Sequence, residues 1–430
     1  MHRILFLPRV PWLKIPLGCE LPLRSHSMGD LKPLRKKIAL DKSPISCYNE
    51  VLDLPFGGVL AKPHATITED MLAALKSRIG VEHTPTEPWF NTAATVDSIR
   101  HFANGIGDDN PLYCDSAYAA KTKYGCLIAP PLFLYSIYWP IGTWGGLPGI
   151  HAFHSGNDWE FYKPIMDGDK ITFTETLTDV VEKPSNYSGR IIVQYSDTYF
   201  RNQRNEVIAK ARGWVVRAER LAAQEKGKYS GREPAKYTVE QLRAIEADYD
   251  HEKIRGSTPR YWEDVTVGEA MTPVVKGPLS MRDIIAWCMG AGSYFIRAHK
   301  LALAYRRRHP AVAMHDSTSG VADVPELVHM EDSRAQEIGI PGAYDYGPQR
   351  ISWLGHLVTN WMGDDGFLKR LYAELRLFNV IGDTTWCKGK VTRKYVQDGE
   401  HLVDLEIWAE NQRCEVTAPG KATVRLPSRV

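Results

Sequence analysis

Alternation of polar and apolar side chains marks the extended segments of this chain. Ile171-Thr172-Phe173-Thr174-Glu175-Thr176-Leu177 and the run from Arg190 to Tyr199 are rich in β-branched and aromatic residues, which predicts strands. Trp386 to Tyr395 and His401 to Glu410, where Leu402, Leu405 and Ile407 intersperse with polar positions, predict a second set. Strands of this kind suit antiparallel sheet, which can bury one face and wet the other. Helix-like stretches separate the blocks: Val96 to Ala103, the apolar run Leu132 to Trp139, and Ile351 to Trp361, which Gly347-Pro348 opens as a first helical turn should open. Periodicity alone therefore gives an α+β chain.

The pattern occurs twice. Asn202-Gln203-Arg204-Asn205-Glu206-Val207 returns as Asn411-Gln412-Arg413-Cys414-Glu415-Val416, and each copy leads into a strand containing Val-Arg. Upstream, Phe161 to Asp169 closes on Gly168-Asp169 as Leu375 to Asp383 closes on Gly382-Asp383. We read two like units, residues 60–217 and 260–430, the second opening at Tyr261 to Gly268. Residues 218–259 hold many charges and few large apolar groups, which predicts a solvated linker, partly helical from Val239 to Tyr249. Residues 1–59 read as an extension, partly flexible. Within it Ile4 to Leu7 begins like a signal core that Pro8, Arg9, Pro11 and Lys14 interrupt. A transit-like peptide and translation from Met28 are both compatible with this stretch, and a flexible or artefactual extension is favoured.

Composition narrows the partners. At 430 residues, 43% hydrophobic and 24% charged, the chain has room for two or three ordinary globular units. Its net charge of +2 gives no global field for nucleic acid or an anionic membrane, so an anionic ligand needs a local patch. The seven cysteines form no C-x-x-C pair, which fits reduced thiols and a cytoplasmic protein. No apolar run reaches the roughly eighteen residues of a membrane span. Neither a dinucleotide fingerprint nor a P-loop is present, and no metal is expected, since His329 to Asp332 and Met362 to Gly366 lack the ligand spacing of zinc or calcium sites.

The densest chemistry lies in Gly107-Asp108-Asp109-Asn110-Pro111-Leu112-Tyr113, where a carboxylate, an amide, a proline-fixed turn and a ring hydroxyl share seven residues. With its flanks, Phe102 to Phe133, it resembles the G-D-x-N-P-x-H signature of the MaoC-like, FAS1-type acyl dehydratases, which include R-specific enoyl-CoA hydratases. The histidine of that signature is Tyr113 here. In the second unit Cys288 to Phe295 stands at the G-D-x-N position without Asp or Asn, and an insertion from Arg297 to Gly320 follows. The pattern resumes from Asp323 to Asp332 with His329 in place, then Ala335, Gly339 and Gly342 to Gly347. The resemblance implies a double hotdog: two repeats, each an antiparallel sheet wrapped around a central helix, joined edge to edge.

It also implies an acyl-CoA dehydratase or enoyl-CoA hydratase, interconverting 2-enoyl and 3-hydroxyacyl thioesters, with coenzyme A as part of the substrate and no other cofactor. Such chemistry needs a base for water, an acid for the α-carbon and donors for the enolate oxygen. The expected roles are Asp323 on water, His329 on the second proton and the Gly347 backbone on the carbonyl, with Asn110, Tyr113, Tyr346 and Arg350 as substrate-binding candidates. Asp108 is open to two readings, an Asx turn that shapes its loop or a partner of His329. His356, on an apolar helix, is expected to be a core residue, and Arg306-Arg307-Arg308-His309 suits either coenzyme A phosphates or a solvated face. Tryptophans 139, 144, 159, 353 and 361 are core fill or walls of a roomy acyl tunnel. Two rivals stay open, a hotdog acyl-CoA thioesterase and a non-catalytic acyl-binding subunit. A homodimer is possible.

Overall fold

The computed structural model describes residues 66–429 apart from 86–87, 143–145, 186–188, 220–232, 294 and 316–318. The extension 1–59, Trp144, Asp316 and the middle of the charged segment lie outside the described residues. Ten strands form one antiparallel sheet: β1 (Glu82–His83), β2 (His151–Phe161), β3 (Thr172–Ser185), β4 (Gly189–Arg201), β5 (Val207–Ala218), β6 (Val274–Lys276), β7 (Phe367–Glu374), β8 (Thr385–Gln397), β9 (Glu400–Asn411) and β10 (Val416–Arg425). Their order is β1-β3-β4-β5-β2-β7-β10-β9-β8-β6. The first five belong to the first half of the chain and the last five to the second. The halves meet where β2 pairs with β7, Gly156 opposite Glu374 through Glu160 opposite Arg370. That join removes two edges that would otherwise be open to pairing with other chains. The expected double hotdog is the observed architecture.

The duplicated hexapeptide is a hairpin turn built twice by the same hydrogen bonds. Asn202 Oδ1 accepts from the backbone N–H of Arg204 (3.0 Å) and Glu206 (3.1 Å), and Asn411 Oδ1 accepts from Arg413 (2.9 Å) and Glu415 (3.2 Å). Residue four of each copy, Asn205 or Cys414, adopts φ 59°. The glutamines reach the second duplicated element, Gln203 Nε2 donating to Asp169 Oδ1 (3.0 Å) and Gln412 Nε2 to Asp383 Oδ1 (2.6 Å). The repeat is thus a set of polar groups that closes one end of each sheet.

Three helices organise the interior: α1 (Val96–Ile106) and α2 (Met281–Ala291) pack on each other, and α3 (Gly347–Met362) packs on the strands of the sheet. α1 starts in a Thr95–Ser98 capping box and ends on Gly107, whose φ of 64° is left-handed and open to glycine at little cost. α1 crosses α2 so closely that a Cβ on Gly290 would stand 2.5 Å from the His101 carbonyl oxygen. Phe102, Phe133, Tyr135, Trp159 and Trp287 fill the core around this crossing. α3 is buried on every side from Pro348 to Met362, including Gln349, His356 and Asn360.

Two expectations change. Leu132 to Trp139 does not form an α-helix: Pro131–Ser136 is a 3-10 helix. Pro130-Pro131 supplies no N–H, and the residue before Pro140 is sterically turned away from the helical region, so too few residues remain for stable α turns. The segment after residue 232 is mostly exposed and partly helical as expected of a linker, but it is docked on the second half rather than free. Its helix, Val239–Asp250, buries Ile245, and the Tyr249 hydroxyl accepts from Gly277 N–H (2.8 Å) while donating to Gly277 O (2.9 Å). Trp386 Nε1 donates to Asp248 (2.8 Å), and Arg255 N–H donates to the Asn360 carbonyl (3.1 Å). These contacts make the helix a buttress of the second half.

Candidate active site

In the first half the motif folds its own loop. Asp108 Oδ1 accepts from Asn110 N–H (3.0 Å), and Asn110 Oδ1 accepts from Leu112 N–H (3.0 Å), so the amide caps the short helix Pro111–Cys114. Both are Asx-type contacts. Asp108 also lies 3.5 Å from His356 Nε2, with both side chains fully buried. Lys276 Nζ, on β6, donates to the Gly107 carbonyl and to His356 Nδ1, each at 2.9 Å, and the Asn360 amide lies 3.0 Å from His356 Nε2. Burial raises the Asp108 carboxyl to about 7, against the opposing pull of Asn110 N–H and the Lys276 charge. Burial pushes the His356 imidazole well down, and the Lys276 cation pushes it further, so this ring is neutral. Asn110 and Tyr113 face a separate small cavity of about 40 Å³ shared with Pro131, Thr359 and Asp364.

The second half opens instead onto a cavity of about 450 Å³. The 3-10 helix Pro325–His329 carries Glu326 and His329 three residues apart, one turn of that helix, so the two side chains project to the same side. Both line the cavity, together with Tyr346, Gly347 and Arg350. His329 Nδ1 lies 2.9 Å from the Tyr344 carbonyl, an acceptor only, so Nδ1 carries the hydrogen and Nε2 is left as the base. The imidazole stacks on the Tyr346 ring, centroids 3.8 Å apart, and meets Tyr344 edge-on at 4.5 Å. Burial lowers its pKa to about 4. Glu326 Oε2 accepts from the Ser293 hydroxyl, Oε1 is buried without a hydrogen-bond partner, and burial raises this carboxyl to about 7. Ser293 follows the Gly292 cap of α2 as Asp108 follows the Gly107 cap of α1.

The first half forms much of the opposite wall of the same cavity, from Trp89, Trp139 and residues 146–155, and brings a second imidazole to it. His154, on β2, sits where the register with β5 shifts between His154 and Gly156. Its Nε2 is 2.8 Å from Asn157 Oδ1 and 3.2 Å from Gly156 O. Its Nδ1 is buried without a hydrogen-bond partner, and burial lowers the ring to about 4. Gly347, the first residue of α3, packs against this ring: a Cβ there would lie 2.4 Å from His154 Nδ1 and 2.5 Å from Leu375 Cδ1. Pro348 has no N–H and the Gln349 N–H belongs to a capping box, so the donor this tip offers a developing negative charge is the Gly347 N–H, with the helix dipole behind it.

The structure brings together His329, Tyr346, Gly347 and Arg350, and it separates them from Asp323 and Asp108. Asp323 is absent from the cavity wall; its Oδ1 accepts from Val324 N–H (2.8 Å), within a two-residue strand paired with Met314–His315. The carboxylate beside His329 is Glu326. Asp108 meets His356 rather than His329, because Lys276 and the α3 helix, both from the second half, gather it into a buried network between the halves. Arg350 is on the wall, but its Nε donates to Asp345 Oδ2 (2.7 Å), its Nη2 to Asp345 Oδ1 and its Nη1 to Leu377 O. With both partners buried, that guanidinium braces the scaffold. Sequence reasoning missed Glu326, His154 and Lys276. The i, i+3 spacing of Glu326 and His329 behind Pro325 was a usable signal for the first; alternation within a strand gave none for the others.

The chain is similar to known proteins in part of its sequence and in its fold. The family model for the FAS1-like dehydratase domain region matches residues 79–211. A UPF0336 protein of Streptomyces griseus is 30% identical over 121 residues, which cover 27% of this chain and 79% of that protein. Among solved structures, a MaoC-like dehydratase superposes with a TM-score of 0.58 at 17% identity, covering 82% of this chain and 100% of its own. A MaoC domain protein dehydratase from Chloroflexus aurantiacus gives 0.51 at 14%, covering 82% and 96%. The two structural likenesses bear on fold.

Proposed function

We propose that this chain, since it belongs to the MaoC-like dehydratase family, is a hydro-lyase that interconverts 2-enoyl and 3-hydroxyacyl thioesters of coenzyme A. The observation that carries the reading is the convergence of the His329 imidazole, the Glu326 carboxyl and the Gly347 helix tip on one cavity. In the hydration direction His329 Nε2 takes a proton from water, whose oxygen bonds to the β-carbon. The π electrons move toward the thioester carbonyl, and the enolate oxygen rests on the Gly347 N–H at the start of α3. Glu326, still protonated because burial holds its carboxyl at about 7, delivers a proton to the α-carbon. The proton on His329 then returns to the Glu326 carboxylate, which resets the pair. The aromatic wall of Trp89, Trp139, Phe153, Phe295 and Phe378 would enclose the acyl chain.

The test is to incubate the purified chain with crotonyl-CoA and with a bulkier enoyl-CoA. Loss of enoyl absorbance with the thioester retained is expected. Release of free thiol would favour the thioesterase, and no turnover without a second hotdog protein would favour the acyl-binding subunit. The pH profile of kcat/KM should be a plateau between about 4, where His329 protonates, and about 7, where Glu326 ionises. A single limb near neither value would remove this pair from the chemistry.

A further inference from the structure

The mechanism above leaves His154 without a task, although it stands on the wall of the same cavity. Its tautomer is set by a chain of hydrogen bonds. Trp159 Nε1 donates to the Tyr135 hydroxyl (3.1 Å), which donates to Asn157 Oδ1 (2.8 Å), while Asn157 Nδ2 donates to the Pro140 carbonyl (2.6 Å). With the amide fixed in this way, Asn157 Oδ1 can only accept from His154, so Nε2 carries the hydrogen and Nδ1 presents a lone pair. That Nδ1 is buried and has no donor, a costly state that folded proteins keep mainly where a ligand or water completes it. It also packs against Gly347, where the thioester carbonyl would sit.

From this placement we propose that His154 is the specificity residue that holds the 3-hydroxyl group of the hydroxyacyl thioester, its Nδ1 accepting a hydrogen bond from that hydroxyl. The proposal rests on the hydro-lyase reading. A neutral ring whose hydrogen is already committed can serve only a donor. Two donors flank a thioester carbonyl: the 3-hydroxyl, three bonds from the carbonyl carbon, and the amide N–H of the pantetheine arm, four bonds away through sulfur. The shorter reach from the Gly347 tip favours the hydroxyl. The C-terminal half would then carry out the proton transfers while the N-terminal half distinguishes the hydrated from the unhydrated ligand.

The experiment uses two ligands that cannot eliminate water because their α-carbon bears no hydrogen, 3-hydroxypivaloyl-CoA and pivaloyl-CoA, titrated calorimetrically into the full chain. The wild-type chain should bind the hydroxyl ligand about tenfold more tightly, the worth of one well-made buried hydrogen bond. His154→Phe should erase the difference, and His154→Gln, which keeps an acceptor, should restore part of it, each variant first checked by thermal unfolding. Equal affinities in the wild type overturn the proposal whatever the variants do, as does a difference that survives His154→Phe. If His154→Phe weakens both ligands equally, the donor is the pantetheine amide and the hydroxyl assignment is wrong. These failures leave the hydro-lyase reading standing when enoyl-CoA is still hydrated; if neither ligand binds and no enoyl-CoA is consumed, that reading falls first.

Discussion

The two halves share a frame and differ at its centre. Each has the Asn-based hairpin turn, the Gly-Asp turn that its glutamine grips, and a glycine-capped helix leading to the site loop. In the first half the residue after that cap, Asp108, is closed in by Lys276 and His356; in the second, Ser293 supports Glu326 on the rim of a cavity of about 450 Å³. The central helices differ as much, a 3-10 segment from Pro131 to Ser136 against the full α3 from Gly347 to Met362. The half that keeps most of the dehydratase signature is the closed one. A motif can outlast its chemistry when its polar groups also fold the loop, which is what the Asp108 and Asn110 contacts do.

Exchanging the roles of the two buried imidazoles gives the largest expected effect. His329→Ala should lower kcat about 10²–10⁴-fold, the usual worth of a positioned acid or base, with the unfolding midpoint little changed. His356→Ala should do the reverse, costing about 2–4 kcal/mol of stability through a core cavity and the loss of one of the acceptors of Lys276. Steady-state kinetics and denaturant titration on both variants check this. Equal kinetic losses from the two would mean that the closed network and the open cavity are not divided as described. A smaller effect is expected from Lys276→Met, which removes donors from the Gly107 carbonyl and His356 Nδ1 and should cost about 1–3 kcal/mol while kcat per folded molecule stays unchanged. A large fall in kcat with stability intact would instead place the Asp108–His356 network in the reaction.

The fold was legible because its signals are local. Alternation found β3, β4, β8 and β9, and literal repetition of a turn revealed the duplication. His329 and Gly347 were legible for a similar reason, since one follows a retained motif and the other opens a helix with Gly-Pro. What failed were the directions of individual side chains and the pairings between distant segments. Nothing in the spacing around Asp323 says that its carboxylate turns onto Val324 N–H, and nothing near Asp108 announces Lys276 or His356, which arrive from β6 and α3. His154 is the extreme case, because its place beside Gly347 depends on a strand register between halves.

The smallest effect tests whether Asp108 is a scaffold carboxyl and Glu326 a working one, since burial raises both to about 7. A carboxyl with a raised folded pKa binds its proton more tightly folded than unfolded. As pH rises from about 4, the ordinary carboxylate value, to about 7, the unfolded chain releases that proton while the folded chain keeps it, so stability falls across the window and then levels off. Asp108→Asn removes this slope and keeps the Oδ1 that accepts from Asn110. The melting temperature of the variant relative to wild type should therefore be higher at pH 8 than at pH 5. The opposing titrations of His154 and His329, both lowered to about 4, are present in both proteins and cancel in the difference. Glu326→Gln should shift relative stability in the same direction, yet only it should abolish enoyl-CoA hydration. If Asp108→Asn abolishes hydration too, the closed network around Asp108 reaches the reacting atoms after all, and its contrast with the cavity is one of access alone.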